Sequence, residues 1–498
     1  MQLHRVSGLA DPGFKRTNGR GVFACALAMA WLLSCGQAGA ATMIRTVTDL
    51  QNMYHNLAGS YQLANDIDAS ATATWNSGAG FLPIGSVATP FTGTLNGAGH
   101  AITGLVIHSP LDHVGLFGVT QGALVENVRL VKVDVLGAST SVVPNVGTLV
   151  GTNGGSIVKC SATGTSTPGN NGNNEFIGGL VGENLVTGSI KNSSSDVDVV
   201  DETAANIGTG GGLVGLNLGV ISASHATGRV ESIQGGDVGG LVGANEQSGR
   251  ITSSYATGAV AGGFEGIAVG GLVGYNGDSS PGVRGVPMIM QSYATGAVID
   301  STAGPVGGLA GVNEGGKIVK SYATGNLGVD GKYLGAAAGG LVGDNHNFHG
   351  NGGFVQAGII QECFATGQAH GGVTIDFGGL VGANSGTIEE SYATVGFDGS
   401  AGNAAGGLVG DNEGVIQQTY AVGSLTATSP LLGGLVATGA GTVKMSYWDT
   451  QATGQPTSHG GTGKTTAQLT GALPAGFSAT IWGFLAGHYP YLVWYGPY

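Results

Sequence analysis

"GGLVGANEQSGRITSSYATGAV" spans residues 239–260, and close copies return at 270–298, 307–327, 339–367 and 406–425. Indexed by one leucine, the repeat falls at Leu149, Leu180, Leu213, Leu241, Leu272, Leu309, Leu341, Leu380, Leu408 and Leu435, with gaps of 27 to 39 residues. A period near 30 residues marks supersecondary units that stack on one another. The segments are short, rich in β-branched residues and punctuated by glycine, so each unit reads as one coil of a parallel β-solenoid rather than as a helix pair. A weaker copy around Leu116 precedes the array. The whole is expected to be all-β, with about 10–13 coils and atypical segments at both ends.

Columns within the repeat sharpen that reading. Three residues before the Ser of "SYATG" stands Ile157, Ile190, Ile221, Ile251, Ile289, Ile318, Ile360, Ile388, Ile416 or Val443, a core rung in each copy. The residue just before the Ser is mostly polar (Lys159, Gln291, Lys320, Glu362, Glu390, Gln418) and is expected to face water. Strand alternation then turns the Ser and Ala of "SYATG" inward and the Tyr and Thr outward. The odd spacing from Ile to Ser requires a corner or bulge. "GGLVGxN" ends in Asn153, Asn184, Asn217, Asn245, Asn276, Asn313, Asn345, Asn384 and Asn412, nine of ten copies. Stacked amides can bond one to the next and satisfy a buried turn, so this column is read as a structural ladder. The glycines around it would permit positive φ and close contact between coils.

Composition limits the function. The chain has 498 residues, 98 of them glycine, and only 9% are charged. Glycine without a strict third-residue period excludes collagen, and a mean hydropathy of +0.21 argues against disorder. Lys15, Arg16 and Arg20 precede the apolar run "GVFACALAMAWLL" at 21–33, and "AGA" at 38–40 offers a cleavage site, so residues 1–40 read as a signal peptide cut after Ala40. "LLSC" ending at Cys35 keeps a lipid anchor open as an alternative. Without residues 1–40 the chain holds 13 basic and 29 acidic residues, a poor match for nucleic acid or an anionic membrane. No later apolar run is long enough for a membrane helix. Cys160 and Cys363 then remain, both at the Ser position. They are six repeats apart, too distant for a disulfide, and read as inert core residues.

"GGLVGxN.G.I..SYATG.V" resembles the GLUG motif, found in large bacterial secreted and surface proteins described as filamentous-haemagglutinin-like or adhesin-like, and as an accessory region in some IgA-cleaving metallopeptidases. The stretch 61–107, with "YQLANDIDAS" and "PFTGTLNGAGHAITGLVI", and the tail "SYWDTQATGQPTSHGGTGKTTAQL" at 446–469 resemble the same proteins. The resemblance covers residues 42–498. It implies a right-handed β-helix-like solenoid and a role in adhesion or extracellular structure, at the cell surface or outside it, with a periplasmic location as the alternative. It implies no activity. No H-E-x-x-H occurs in the sequence, so the peptidase association does not carry over.

The expected organisation is a signal peptide at 1–40, an N-terminal cap with divergent coils at 41–145, the regular array at 146–447, and a C-terminal cap at 448–498. "TDLQNMYHNL" at 48–57 reads as a short helix capped by Thr48 or Asp49, and "TTAQLT" at 465–470 as another.

"GGTGKTT" at 460–466 lacks the first glycine of a P-loop, since Ser458 stands in its place. His346 and His349, with His370, could hold zinc, but glycine-rich insertions carry stray histidines more often. Asp66 with Asp68, and Asp196 with Asp198 and Asp201, could bind calcium loosely, without the nonapeptide pattern of calcium-binding β-rolls. A polysaccharide lyase or hydrolase needs facing carboxylates, and the repeats offer only scattered ones. The expectation is a non-catalytic protein with no cofactor and no metal, and the alternative is a polysaccharide-binding or polysaccharide-cleaving protein on the same scaffold.

The most suggestive surface is the column Tyr255, Tyr293, Tyr322, Phe364, Tyr392, Tyr420 and Tyr447, extended by His225. It reads as a stabilising ladder of rings, or as a strip that contacts a host or matrix glycan or protein. Thr227, Thr257, Thr295, Thr324, Thr366 and Thr394 form a neighbouring column. Oligomeric state is left open by the sequence.

Overall fold

The computed structural model describes residues 40–497, apart from 138–143, 168–175, 201–207, 233–235, 264–267, 279–284, 300–303, 329–335 and 374. The expected signal peptide, with Cys35, lies outside the described residues but for Ala40, as does Asp201. The chain divides into Met1–Ala41 and Thr42–Tyr498, and the second unit builds the solenoid.

The quoted repeat becomes one coil. Its strands are Asp237–Gly239, Val242–Glu246, Arg250–Thr252, Tyr255–Ala256 and Val260–Ala261. Each lies parallel to its counterpart in the next coil, so that Val238 meets Val269, Val242 meets Val273, Ile251 meets Ile289, Tyr255 meets Tyr293 and Val260 meets Val298. Parallel neighbours need a long crossover, and the remainder of each coil supplies it. The sheet that contains Asp237–Gly239 has eleven strands, from His113–Val114 to Leu431–Gly433, one per coil. The parallel β-solenoid expected from the repeat is the observed fold.

The stacking turns sequence columns into physical ones. All ten indexing leucines are fully buried, as are the isoleucines from Ile157 to Ile416. Val443, in the last copy, is partly buried against them. One apolar cluster runs without a break from Ile44 to Trp448. Burying each such aliphatic side chain stabilises by roughly 1.5–3 kcal/mol, which explains how a chain without disulfides in its described part holds together. Cys160 and Cys363 are free and buried, and burial pushes both thiols up to about 12.

Of the two jobs expected of the motif glycines, close contact between coils is the one that Gly239, Gly240 and Gly243 perform. None of the three has positive φ. They are there for space: a Cβ on Gly240 would stand 2.2 Å from the Gly271 carbonyl oxygen of the next coil and 2.9 Å from the Ala256 Cβ. The left-handed backbone sits instead on non-glycine residues, at the corner just before the Ser. Asn127, Lys159, Asn192, Ala223, Ser253, Gln291, Lys320, Glu362, Glu390, Gln418 and Met445 all have φ between 45° and 55°. This is the corner the Ile-to-Ser spacing demanded. It turns a side chain outward, which explains its polar column, at a backbone cost of roughly 1–2 kcal/mol per residue.

Two hydrogen-bond ladders run up the interior. Asn153 donates from Nδ2 to Asn184 Oδ1 at 2.8 Å, and the same bond repeats through Asn217, Asn245, Asn276, Asn313, Asn345 and Asn384 to Asn412 at 2.7–2.8 Å. Thr120 begins the series by donating to Asn153 Oδ1. The second ladder follows the corner. The Ser224 hydroxyl accepts the Ser193 N–H and donates to the Ser222 carbonyl, Ser254 does the same with Ser224 and Thr252, and Ser292 with Ser254 and Met290. The hydroxyl thus satisfies a backbone donor that the bend removes from the sheet.

At the N-terminal end the short helix is Val47–Gln51, followed by a 3-10 turn at Asn52–His55. Its cap is Thr46, two residues before the expected start, while Asp49 returns the capping-box bond to the Thr46 N–H. The expected cap residue Asp49 is therefore the third helical residue. Leu50 and Met53 are buried against the first strands.

Candidate functional site: the aromatic column

The aromatic column is a stack. His225, Tyr255, Tyr293, Tyr322, Phe364, Tyr392 and Tyr420 follow one another at centroid distances of 4.7–5.0 Å, with planes within 6° of parallel. Tyr447 continues the register beside Tyr420. The parallel pairing fixes this geometry, since each ring leaves the backbone at the same point of successive coils. Each ring face is therefore covered by its neighbours, and only edges and hydroxyls point away from the solenoid.

The column is divided in two by the chain's own C-terminal segment. After the last full coil, Thr462–Lys464 pairs with Tyr447–Asp449 and Thr465 caps the four-residue helix Thr466–Leu469. The following residues run back down the aromatic face. Phe477 meets Tyr447, Trp482 and Tyr489 meet Tyr420, Trp482 also meets Tyr392, and Tyr495 meets Phe364 and Tyr322 edge-on. Tyr447 donates to the Ala475 carbonyl, Tyr420 to the Pro490 carbonyl, Tyr489 to Asp449, and Trp494 to the Glu362 carbonyl. Phe364, Tyr392, Tyr420 and Tyr447 are buried as a result. Tyr255, Tyr293 and Tyr322 are half-buried, like His225. This division is not legible in the sequence, because register, not composition, decides which rings the tail reaches.

Burial raises the pKa of Tyr293, and pushes Tyr322 up to about 12, where Tyr495 and Tyr293 add to the effect. Both phenols stay protonated donors at neutral pH. Burial lowers the pKa of His225, which favours the neutral imidazole. Beside the rings, Thr227, Thr257 and Thr295 are exposed and Thr324, Thr366 and Thr394 are half-buried.

The other candidate groups are committed elsewhere. His346 lies between Asp344, at 3.2 Å, and Glu314, at 3.5 Å, and Glu314 also accepts the Tyr275 hydroxyl. Burial alone would lower the His346 pKa, but the bonds to Asp344 and Glu314 outweigh it and raise the pKa to about 10. The hairpin Phe348–His349 with Val355–Gln356 follows directly, and Gln356 donates to the Gly315 carbonyl. His346 thus pins an insertion to the solenoid. His370 pairs with Asp398. Asp66 accepts from His100 and the Ala101 N–H, Asp68 from the Ser70 N–H, Asp196 from Thr227 and Asp198 from the Arg229 N–H. Among the described residues, no three His, Cys, Asp or Glu side chains converge as a metal site would require, and no helix is long and apolar enough to cross a membrane.

Comparisons with known proteins agree with the repeat. The family model described as "The GLUG motif" matches residues 234–261. "Halomucin" from Haloquadratum walsbyi is 32% identical over 152 residues, 28% of this chain and 2% of its own. A "Putative Gly-rich membrane protein" from Evansella cellulosilytica is 38% identical over 121 residues, 23% of this chain and 13% of its own. The matches thus span only a small part of either relative. Among solved structures, a "putative immunoglobulin A1 protease" from Bacteroides ovatus covers 91% of this chain and 92% of its own at 19% identity. Its TM-score of 0.24 is too low to carry an argument.

Proposed function

We propose that this GLUG-repeat protein is exported and acts without catalysis, in adhesion or extracellular structure, through the outer faces of its coils. The observation that carries this reading is the use to which the repeated polar groups are put. The Asn and Ser columns bond within the solenoid, coil to coil, and the repeat leaves outside the aromatic edges, the threonines beside them and corner side chains such as Lys159 and Gln291. Such a surface offers many weak, equivalent contacts spaced by one coil, which suits a repeating partner. The similarity to "Halomucin" and to a "Putative Gly-rich membrane protein" is in keeping with a place at the cell boundary.

The test is a glycan and matrix-protein array probed with the exported protein and with Tyr255→Ala/Tyr293→Ala. These two rings are half-buried and free of the C-terminal segment, so the variant changes the face with little effect on the tail. Binding that the variant loses supports the reading. An array silent for both proteins, together with a periplasmic or cytoplasmic location on fractionation, overturns it.

A further inference from the structure

The column that carries the tyrosines does not begin with them. The strand pairing sets Arg129 beside Ser161, Ser161 beside Ser194, Ser194 beside His225, and His225 beside Tyr255, Tyr293 and Tyr322. Seven coils therefore present one uncovered row, about 29 Å long at roughly 4.8 Å per coil, which ends where Tyr495 covers the ladder. Its two ends differ in chemistry. Near Arg129 stand Lys159 at the adjoining corner, Lys132 on the other flank, and Lys191 one coil on, all exposed. Among the described residues, none of the four cations is ion-paired. The positive charge is concentrated around Arg129, while Asp66, Asp134, Asp196 and Asp198 are also exposed in or beside the same or neighbouring strands. Arg129, Lys159, Asn96, Asn127 and Ser161 line a shallow hollow of about 490 Å³. The small Ser161 and Ser194 keep the row low between Arg129 and His225.

The rest of the row is also a donor surface. Because the ring faces are occupied, a partner meets ring edges, where the quadrupole is positive, and phenolic hydroxyls. The exposed threonines add hydroxyls alongside. Negatively charged groups suit the hollow at Arg129 and Lys159 and oxygen-rich ones the tyrosine edges, whereas from Tyr255 to Tyr322 the apolar face of a neutral sugar finds no open ring to lie on. Asp66 accepts from His100, Glu126 from Asn96 and Asp196 from Thr227, and among the described residues no acidic side chain lines the hollow.

We infer that the row from Arg129 to Tyr322 is a docking track for an extended anionic polysaccharide, whose carboxylate or sulfate groups meet Arg129 and Lys159 while its hydroxyls and ring oxygens follow the serines and the tyrosine edges. This rests on the adhesive reading above and names its ligand class. The C-terminal segment already packs along the continuation of the same column, so that column can be covered by chain laid against it.

The test measures binding of the exported protein to alginate, a polyuronate, and to dextran sulfate, with neutral dextran, poly-glutamate and single-stranded DNA as comparisons. Binding of either anionic glycan is expected, weakened by salt, and weakened about tenfold or more by Arg129→Ala/Lys159→Ala. Tyr255→Ala/Tyr293→Ala is expected to weaken it too, while Lys317→Ala, outside the row, leaves it unchanged. Thermal melts confirm that each variant is folded. The inference is overturned by no binding to either glycan, by equal binding to neutral dextran, by equal binding to poly-glutamate or DNA, or by full binding in the Arg129/Lys159 variant. If the anionic glycans fail while array binding persists and still depends on the tyrosines, the adhesive reading stands and only the track is lost.

Discussion

At the scale of the residue, the repeat is governed by two opposite backbone demands. Motif glycines are held where a Cβ has no room, and left-handed corners are held by residues that do have one. Gly240→Ala places a methyl group 2.2 Å from the Gly271 carbonyl oxygen. It is expected to destabilise by about 3 kcal/mol or more, since backbone cannot yield as a side chain does, and a denaturant melt would measure the loss. Gln291→Asn acts in the other sense. Asn tolerates the left-handed region better, so replacing the exposed Gln291 is expected to stabilise by up to about 1 kcal/mol, read as a higher melting midpoint. Residue type did not advertise these corners, because only Asn127 and Asn192 among them are residues that favour such a bend. Position in the repeat was the sole clue. The Ile-to-Ser spacing showed that a corner existed and where, while the positive φ expected of the motif glycines is absent from Gly239, Gly240 and Gly243.

At the scale of the element, ladders outrank single bonds. Asn276 accepts from Asn245 and donates to Asn313. Asn276→Leu leaves a donor and an acceptor unpaired in a dry turn and is expected to destabilise by about 2–5 kcal/mol, measured by equilibrium unfolding. The amide column was legible in the sequence because nine copies of one residue share one place. The serine ladder was not: its inward direction followed from alternation, but the backbone donor it satisfies exists only after the corner has formed. The insertion at His346 makes a pH-dependent prediction. The folded-state pKa of His346 is raised to about 10, so its stabilising contribution is complete below the ordinary histidine value near 6.5 and fades as pH rises through about 10. The stability difference between the native protein and His346→Gln is expected to be largest near pH 6 and to vanish above pH 10. A difference that grows with pH would contradict the pairing.

At the scale of the whole molecule, register is the organising fact. Coil count, the core columns and the inward Ser and Ala positions could all be read from the period, since a parallel stack maps sequence columns onto spatial ones. The division of the aromatic column could not, because the C-terminal segment carries no repeat and finds its place by shape. Trp482→Ala removes a ring wedged against Tyr392, Tyr420 and Phe477. It is expected to destabilise the segment by about 3–5 kcal/mol and to raise proteolytic cleavage between residues 470 and 495 while the coils stay intact. Equal loss across the solenoid would mean that the segment is integral to the stack.

The backward run of that segment also decides how the molecule would bear a load. A solenoid pulled by its last coil opens like a zip, one coil at a time. Here a force applied near residue 495 is delivered first to Tyr322 and Phe364, several coils inside the stack, through ring contacts and the Trp494 bond to Glu362. The final coils hang behind that anchorage, sheltered from tension until the strap has been stripped away.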